Sequence, residues 1–369
     1  MNITCAKADL LNSVNIASRA VPAKSTMPIL ECIVIEAAND NIKLTSNDME
    51  LGIETMVKGS VNEQGTIALN AKVFSEIIRK LPDSDIKIVT DANFIATITC
   101  EKSKFTIAGK SAEEFPSLPV IEKSKPVILS QFALKEVVRQ TIFSIADNET
   151  NKIMTGELFE INSYNLRVVS LDGHRISIRK ITLKEEYENR KVIVPGKTLN
   201  EISKILSGEV SDEVALYFTD KHILFEFGDT LVLSRLIEGE YFRIDQMLSN
   251  DYNTKVTVNK KELLSCIDRA TLLVKESEKK PIIVGIKDYN LELKINSSIG
   301  SMNEEIDITK DGMDMLIGFN PKFLIDALRV IDDETVYLYL TNPKAPCFIK
   351  DKDETYIYLI LPVNFNAAG

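Results

Sequence analysis

Apolar positions along the chain fall into two rhythms, one helical and one strand-like. In 69–82, 194–206 and 319–331 a lysine (Lys72, Lys197 or Lys322) is followed by a common apolar template. It reads Val73, Phe74, Ile77, Ile78 and Leu81 in the first stretch and Phe323, Leu324, Ala327, Leu328 and Ile331 in the third. The second stretch keeps Leu199, Ile202 and Leu206 and places Thr198 and Ser203 in two of the slots. Offsets of 0, 1, 4, 5 and 8 draw one stripe along an α-helix. Asn70 and Asn320 stand where N-caps belong, and Pro321 takes a first helical position. A second helical pattern covers 6–20, 131–142 and 260–270, each with an acid ahead of an apolar pair: Asp9-Leu10-Leu11, Glu136-Val137-Val138 and Glu262-Leu263-Leu264. Asn259 with Glu262 fits a capping box, and Ser130 sits where it would cap the middle copy.

Between these helices, β-branched and aromatic residues alternate with polar ones in short runs, as in 32–37, 42–46, 86–90, 94–100 and 105–109. Runs at 166–170, 214–218, 222–227, 291–295, 336–340 and 356–361 are their counterparts, and Asp, Asn, Gly and Lys clusters mark the turns. The three lysines lie 125 residues apart in both intervals, and the acid-plus-pair landmarks 127 and 126 apart. Constant spacing at two landmarks identifies a triple internal repeat. The expected organisation is α+β, with three similar domains over 1–122, 126–246 and 254–366, each a doubled β-α-β-β-β unit.

Charge sharpens this picture. The 369 residues carry 44 Lys+Arg and 54 Asp+Glu, a formal net charge of −10. The six helical segments alone hold 14 basic and 7 acidic residues, and each is net positive. The remainder holds 30 basic and 47 acidic residues. Positive helices gathered on one surface would hold a nucleic acid by its phosphates, with no sequence code. Five widely spaced cysteines without a C-x-x-C pair read as reduced thiols, and no apolar run is long enough to cross a bilayer, so a cytoplasmic protein is expected.

Catalytic signals are sparse. Gly196-Lys197-Thr198 resembles the end of a phosphate loop, but Lys191 occupies the position that loop reserves for glycine. No G-x-G-x-x-G or G-x-S-x-G occurs, and two histidines, His174 and His222, do not make a histidine-rich metal site. Asp48 with Glu50, or the run 332–334, would be the carboxylates to hold a divalent cation, although turn acids are ordinarily solvated. No enzyme, cofactor or metal is expected. The cluster Leu171-Asp172-Gly173-His174-Arg175 occurs in only one of the three copies and marks a specialised surface.

This cluster resembles the β-subunit family of bacterial DNA polymerase III, the sliding clamps, as do Thr26-Met27-Pro28-Ile29-Leu30, Glu114-Phe115-Pro116 and Leu359-Ile360-Leu361-Pro362-Val363. The resemblance covers residue 1 to about 364. It implies a homodimeric ring of six domains whose helices line a hole for duplex DNA, recognised without regard to sequence. It also implies a non-catalytic role in replication and repair. A groove would take short linear peptides from the polymerase, the clamp loader and repair polymerases. By matching position the groove comprises Met154, Leu171, Gly173, His174, Arg175 and Ile176, then Phe242, Gln246 and Met247, then Ile360, Leu361, Pro362 and Val363. Phe242 stands where the family usually has proline and Asn364 where it often has arginine. The DNA-facing residues implied are Lys24, Lys72, Arg79, Lys80, Lys135, Arg139, Lys197, Lys204, Lys322 and Arg329. The dimer contact implied sets Phe105 and Ile107, with Lys102 and Lys104, against Leu272 and Leu273, with Glu304 and Glu305. The alternatives are a peptide-binding scaffold that does not encircle DNA, and a nuclease or polymerase in its own right.

Overall fold

A computed structural model of the chain describes residues 1–147, 150–248, 251–274 and 280–365. The last four positions, which include the end of the expected third domain, lie outside the described residues. Among those described, six α-helices stand where the stripes place them: α1 Lys7–Ala17, α2 Ala71–Lys80, α3 Gln131–Thr141, α4 Gly196–Ile205, α5 Lys260–Thr271 and α6 Pro321–Val330. Each follows closely on a strand; besides the strand that leads into the next helix, four strands follow α1 and three follow α2, α4, α5 and α6. After α3 the pattern is modified. Two long strands, Gly156–Leu171 and Arg175–Pro195, form one hairpin, and the second runs unbroken into α4.

The starts of α2, α5 and α6 are set by the expected caps. Asn70 accepts from the Val73 amide, Asn259 from Glu262 and Asn320 from Lys322, each at 3.1 Å. Repeat symmetry extends to the helix ends. Lys7 at the start of α1 donates to the Leu81 carbonyl beyond α2, and Lys260 at the start of α5 to the Ile331 carbonyl beyond α6, both at 2.5 Å. These cations satisfy carbonyls that a helix terminus leaves open. In the middle copy Gln131 holds the same position and accepts from the Ser207 amide beyond α4 at 2.8 Å.

The stripes pack largely as expected. In the first repeat Leu10, Val14, Phe74, Ile78 and Leu81 join Ile3, Ile35 and Ile88 in one core. In the third, Leu263, Ile267, Leu324 and Leu328 join Val256, Val284 and Tyr358. Fully burying each such aliphatic side chain contributes about 1.5–3 kcal/mol. Val73 departs from the template: it is 47% exposed, because the first position after the lysine turns off the buried arc of α2. Gly196 is buried where a side chain would run into Ile145 and the Thr155 carbonyl. The glycine of Gly-Lys-Thr is therefore a packing residue at a helix start.

The described residues form two compact units, Met1–Phe132 with Lys204–Leu236, and Ala133–Ser203 with Ile237–Gly369. The first contains a five-stranded sheet and an eight-stranded sheet. In the larger, strand Thr230–Arg235 pairs antiparallel with Leu51–Val57, so the second repeat continues the sheet of the first. The other unit contains a ten-stranded sheet in which Tyr356–Ile360 pairs antiparallel with the start of Arg175–Pro195, so the third repeat continues the sheet of the second. Backbone pairing across repeats explains why the compact units do not coincide with the repeats.

Candidate functional site

The 156–171/175–195 hairpin turns at Asp172–His174, and this turn is built by the carboxylate of Asp172. It accepts from the amides of His174 (2.9 Å) and Arg175 (3.1 Å), and Gly173 supplies the left-handed residue at φ 88°. Arg175 is 7% exposed and fully engaged. Its guanidinium donates to Asp172 at 2.9 Å, to Asp326 on α6 at 2.7 Å and to the Phe143 carbonyl at 2.5 Å, and it lies 4.2 Å over the Phe323 ring. His174 stacks on the same ring at 6.3 Å. Arg175 thus fixes the turn to α6 and is committed to that role.

Beside the turn lies a pocket of about 450 Å³ lined by Met154, Leu171, Gly173, His174, Arg175, Ile176, Phe242, Met247, Pro346, Leu359 and Leu361. Its floor is one row of cross-strand neighbours, with Leu171 opposite Ile176 and Ile176 opposite Leu359. Segment 241–248 covers this face. Tyr241 donates to the Val169 carbonyl at 3.2 Å and meets Phe242 edge-on at 5.9 Å, and Ile244 is buried. Met247 stays 45% exposed and Leu361 38%. Apolar side chains held half-open around a concave apolar floor suit capture of apolar side chains from a partner.

The basic helical residues are placed individually. Lys24, Lys72, Arg79, Lys80, Lys197, Lys204, Lys322 and Arg329 are exposed, whereas Lys135 and Arg139 are half-buried. Arg79 pairs with Glu76 at 2.8 Å, Arg329 with Asp268 at 3.4 Å, and Arg139 with both Glu136 (2.5 Å) and Asp332 (3.0 Å). Exposed pairs of this kind contribute little to stability. Asp48 caps its own turn by accepting from the amides of Glu50 and Leu51.

Among the strand edges without a backbone partner in the described residues, two belong to equivalent places in the first and third repeats. Ser103–Ala108 is the last strand of the five-stranded sheet, and residues 301–307 of Ser301–Gly312 pair only with Asn290–Asn296. Phe105 (40% exposed) and half-buried Ile107 lie on the first edge with exposed Lys104, and Lys102 is in the turn before it. Glu304 and Glu305 lie on the second. Leu272 follows α5 at 78% exposure, and Leu273 is packed against the third core. Glu304 is paired within the chain by Arg269, and Glu305 accepts from Asn290 at 2.9 Å.

Comparison with known proteins decides the relationship. Family models described as the N-terminal, central and C-terminal domains of the DNA polymerase III beta subunit match residues 1–119, 128–242 and 245–364. The chain belongs to the DNA polymerase III beta subunit family. Among its relatives, the beta sliding clamp of Staphylococcus epidermidis is 32% identical, over 98% of this chain and 99% of that protein. A crystal structure of the DNA polymerase sliding clamp from Bacillus subtilis is 33% identical, with a TM-score of 0.96 over 99% of this chain and 100% of that one. A crystal structure from Eubacterium rectale is 65% identical, with a TM-score of 0.97 at the same coverage.

Of the groove residues expected from resemblance to clamps, Met154, Leu171, Gly173, His174, Arg175, Ile176, Phe242, Met247 and Leu361 line the pocket. Gln246 and Val363 are exposed and Pro362 half-buried, all outside the lining. Ile360 is fully buried in the third core. Along Tyr356–Ile360 successive side chains point to opposite faces, so Leu359 faces the pocket and Ile360 the helices. Leu359 and Pro346 are the lining residues that the sequence reading missed. Neither carried a distinguishing signal in the sequence, since 356–361 is apolar or aromatic throughout. Phe242 adds an aromatic side chain to the lining.

Proposed function

We propose that this chain works as a DNA sliding clamp, a non-catalytic processivity subunit of bacterial DNA polymerase III acting in the cytoplasm. Its three repeats, 1–122, 126–246 and 254–366, would be the clamp domains. Two copies close a ring around duplex DNA, and the net-positive helices contact phosphates through Lys24, Lys72, Arg79, Lys80, Lys135, Arg139, Lys197, Lys204, Lys322 and Arg329. The pocket beside His174 receives short linear peptides from the polymerase, clamp loader and repair polymerases.

The observation that carries the ring is a pattern of sheet junctions. Twice the last strand of one repeat pairs antiparallel with an internal strand of the preceding repeat: Thr230–Arg235 with Leu51–Val57, and Tyr356–Ile360 with the start of Arg175–Pro195. The equivalent remaining strands, Ser103–Ala108 and 301–307, each retain an open edge. A second copy can complete both junctions head-to-tail, which yields a closed assembly. The decisive experiment is retention on DNA. Protein assembled on circular plasmid should co-elute with it, and cutting the plasmid once should release it. Equal retention on cut and uncut plasmid would defeat encirclement, and no retention with intact peptide binding would favour a scaffold.

A further inference from the structure

We propose that Phe365 and Gly318 form a lock that holds one wall of the pocket in place, making Phe365 a positioning residue for peptide binding. The proposal rests on the groove reading given above. The wall is the segment after strand Tyr356–Ile360. Leu361 lines the pocket, and its amide donates to the His174 carbonyl at 2.9 Å. Pro362 has no amide to donate and a restricted φ. The Val363 amide donates to the Gly318 carbonyl at 2.8 Å. The segment is therefore tied at one end to the hairpin turn and at the other to strand Met315–Phe319.

Gly318 has no left-handed φ, so its conformation does not require glycine. Space does. A Cβ there would lie 2.6 Å from Cδ1 of Phe365 and 2.8 Å from the Val363 carbonyl oxygen, closer than real Cβ atoms come. The Phe365 ring thus sits in a notch that only glycine leaves open. Strand Met315–Phe319 leads directly into Asn320, the cap of α6, and α6 carries Phe323 and Asp326, which hold Arg175. The tail is consequently anchored to the element that also fixes the opposite side of the pocket. Leu361 and Val363 are each 38% exposed, so neighbouring side chains give the segment little packing. Without the ring, the wall keeps two backbone hydrogen bonds and loses its end anchor. A wall that must be ordered on binding lowers affinity, chiefly through faster release.

The test uses the full chain and a fluorescein-labelled octapeptide bearing adjacent leucine and phenylalanine. Anisotropy should show Phe365→Ala binding roughly tenfold more weakly, mostly through the dissociation rate. Phe365→Leu should recover part of the loss, and Gly318→Ala should weaken binding as Phe365→Ala does. Sedimentation and the melting temperature of Phe365→Ala should match the wild type, while hydrogen exchange at the Leu361 and Val363 amides accelerates. Wild-type binding with an undiminished Phe365→Ala titration, or unchanged exchange at both amides, would overturn the lock. If the wild type itself does not bind the peptide, the groove reading fails and the functional role of the lock fails with it.

Discussion

A carboxylate removed from water without a counter-ion is costly, and Glu157 is in that situation. It is fully buried at the start of the long hairpin, and neither of its oxygens has a hydrogen-bond partner. The nearby Thr141 hydroxyl donates to the Val137 carbonyl instead, at 2.7 Å. Burial pushes the Glu157 carboxyl up to about 8 from its ordinary 4.5. Below about 4.5 the group is neutral whether the chain is folded or not; between 4.5 and 8 the unfolded chain releases a proton that the folded chain retains. Stability should therefore fall as pH rises through that window, by up to about 1.4 kcal/mol per pH unit from this residue. Urea unfolding at pH 5.5 and pH 8 should show the loss in the wild type and a smaller loss in Glu157→Gln. Equal losses would mean that Glu157 titrates normally. Nothing in the sequence marked this residue: Glu157 lies near the start of strand Gly156–Leu171, ahead of the run 166–170 that the apolar pattern picks out. Arg175, in contrast, was legible as part of an unusual cluster, but its ties to Asp326 and Phe323 depend on α6, about 150 residues further on.

Elements were more legible than contacts. Helices carry their own signal, because a stripe and a repeat spacing agree at each of them, joined by an asparagine cap at α2, α5 and α6. Strand phase over 359–361 was harder to read, since all three residues are apolar and both faces of that strand are buried. Alternation without a polar marker does not say which face is which, and so Ile360 was expected in the groove and Leu359 was not. The link between paired helices was also hidden, because it runs from a side chain at one helix start to the carbonyl beyond the next helix. Lys260→Met should remove the bond to the Ile331 carbonyl and lower stability by about 1–2 kcal/mol, with Lys7→Met doing the same in the first repeat. Thermal denaturation of both variants checks this. Melting temperatures equal to wild type would show that water caps those carbonyls equally well.

For the whole molecule, the sequence carried the repeat number and the sign of the helices but not the register of the open junction. That register follows from the two junctions within the chain. Thr230 faces Thr55, the fifth residue of its partner strand, and Ser234 faces Leu51, the first; Tyr356 faces Arg179 and Ile360 faces Arg175 in the same way. Applied to Ser103–Ala108 and 301–307, the same offset sets Ser103 opposite Glu305, Lys104 opposite Glu304 and Ile107 opposite Ser301. Lys104 would then meet the carboxylate now held by Arg269, an opposite-charge cross-strand pair at the closing seam. Directly opposed residues of an antiparallel pair lie within disulfide reach. A chain carrying Lys104→Cys and Glu304→Cys should therefore oxidise to a species of twice the chain mass on a denaturing gel. All five native cysteines are buried and should stay out of the reaction. Either substitution alone should remain monomeric on that gel, and the oxidised double variant, formed on circular plasmid, should resist release by high salt until the plasmid is cut. Cross-linking that favours Lys104→Cys with Met302→Cys would refute the inferred register. A product of single-chain mass would refute closure by a second copy.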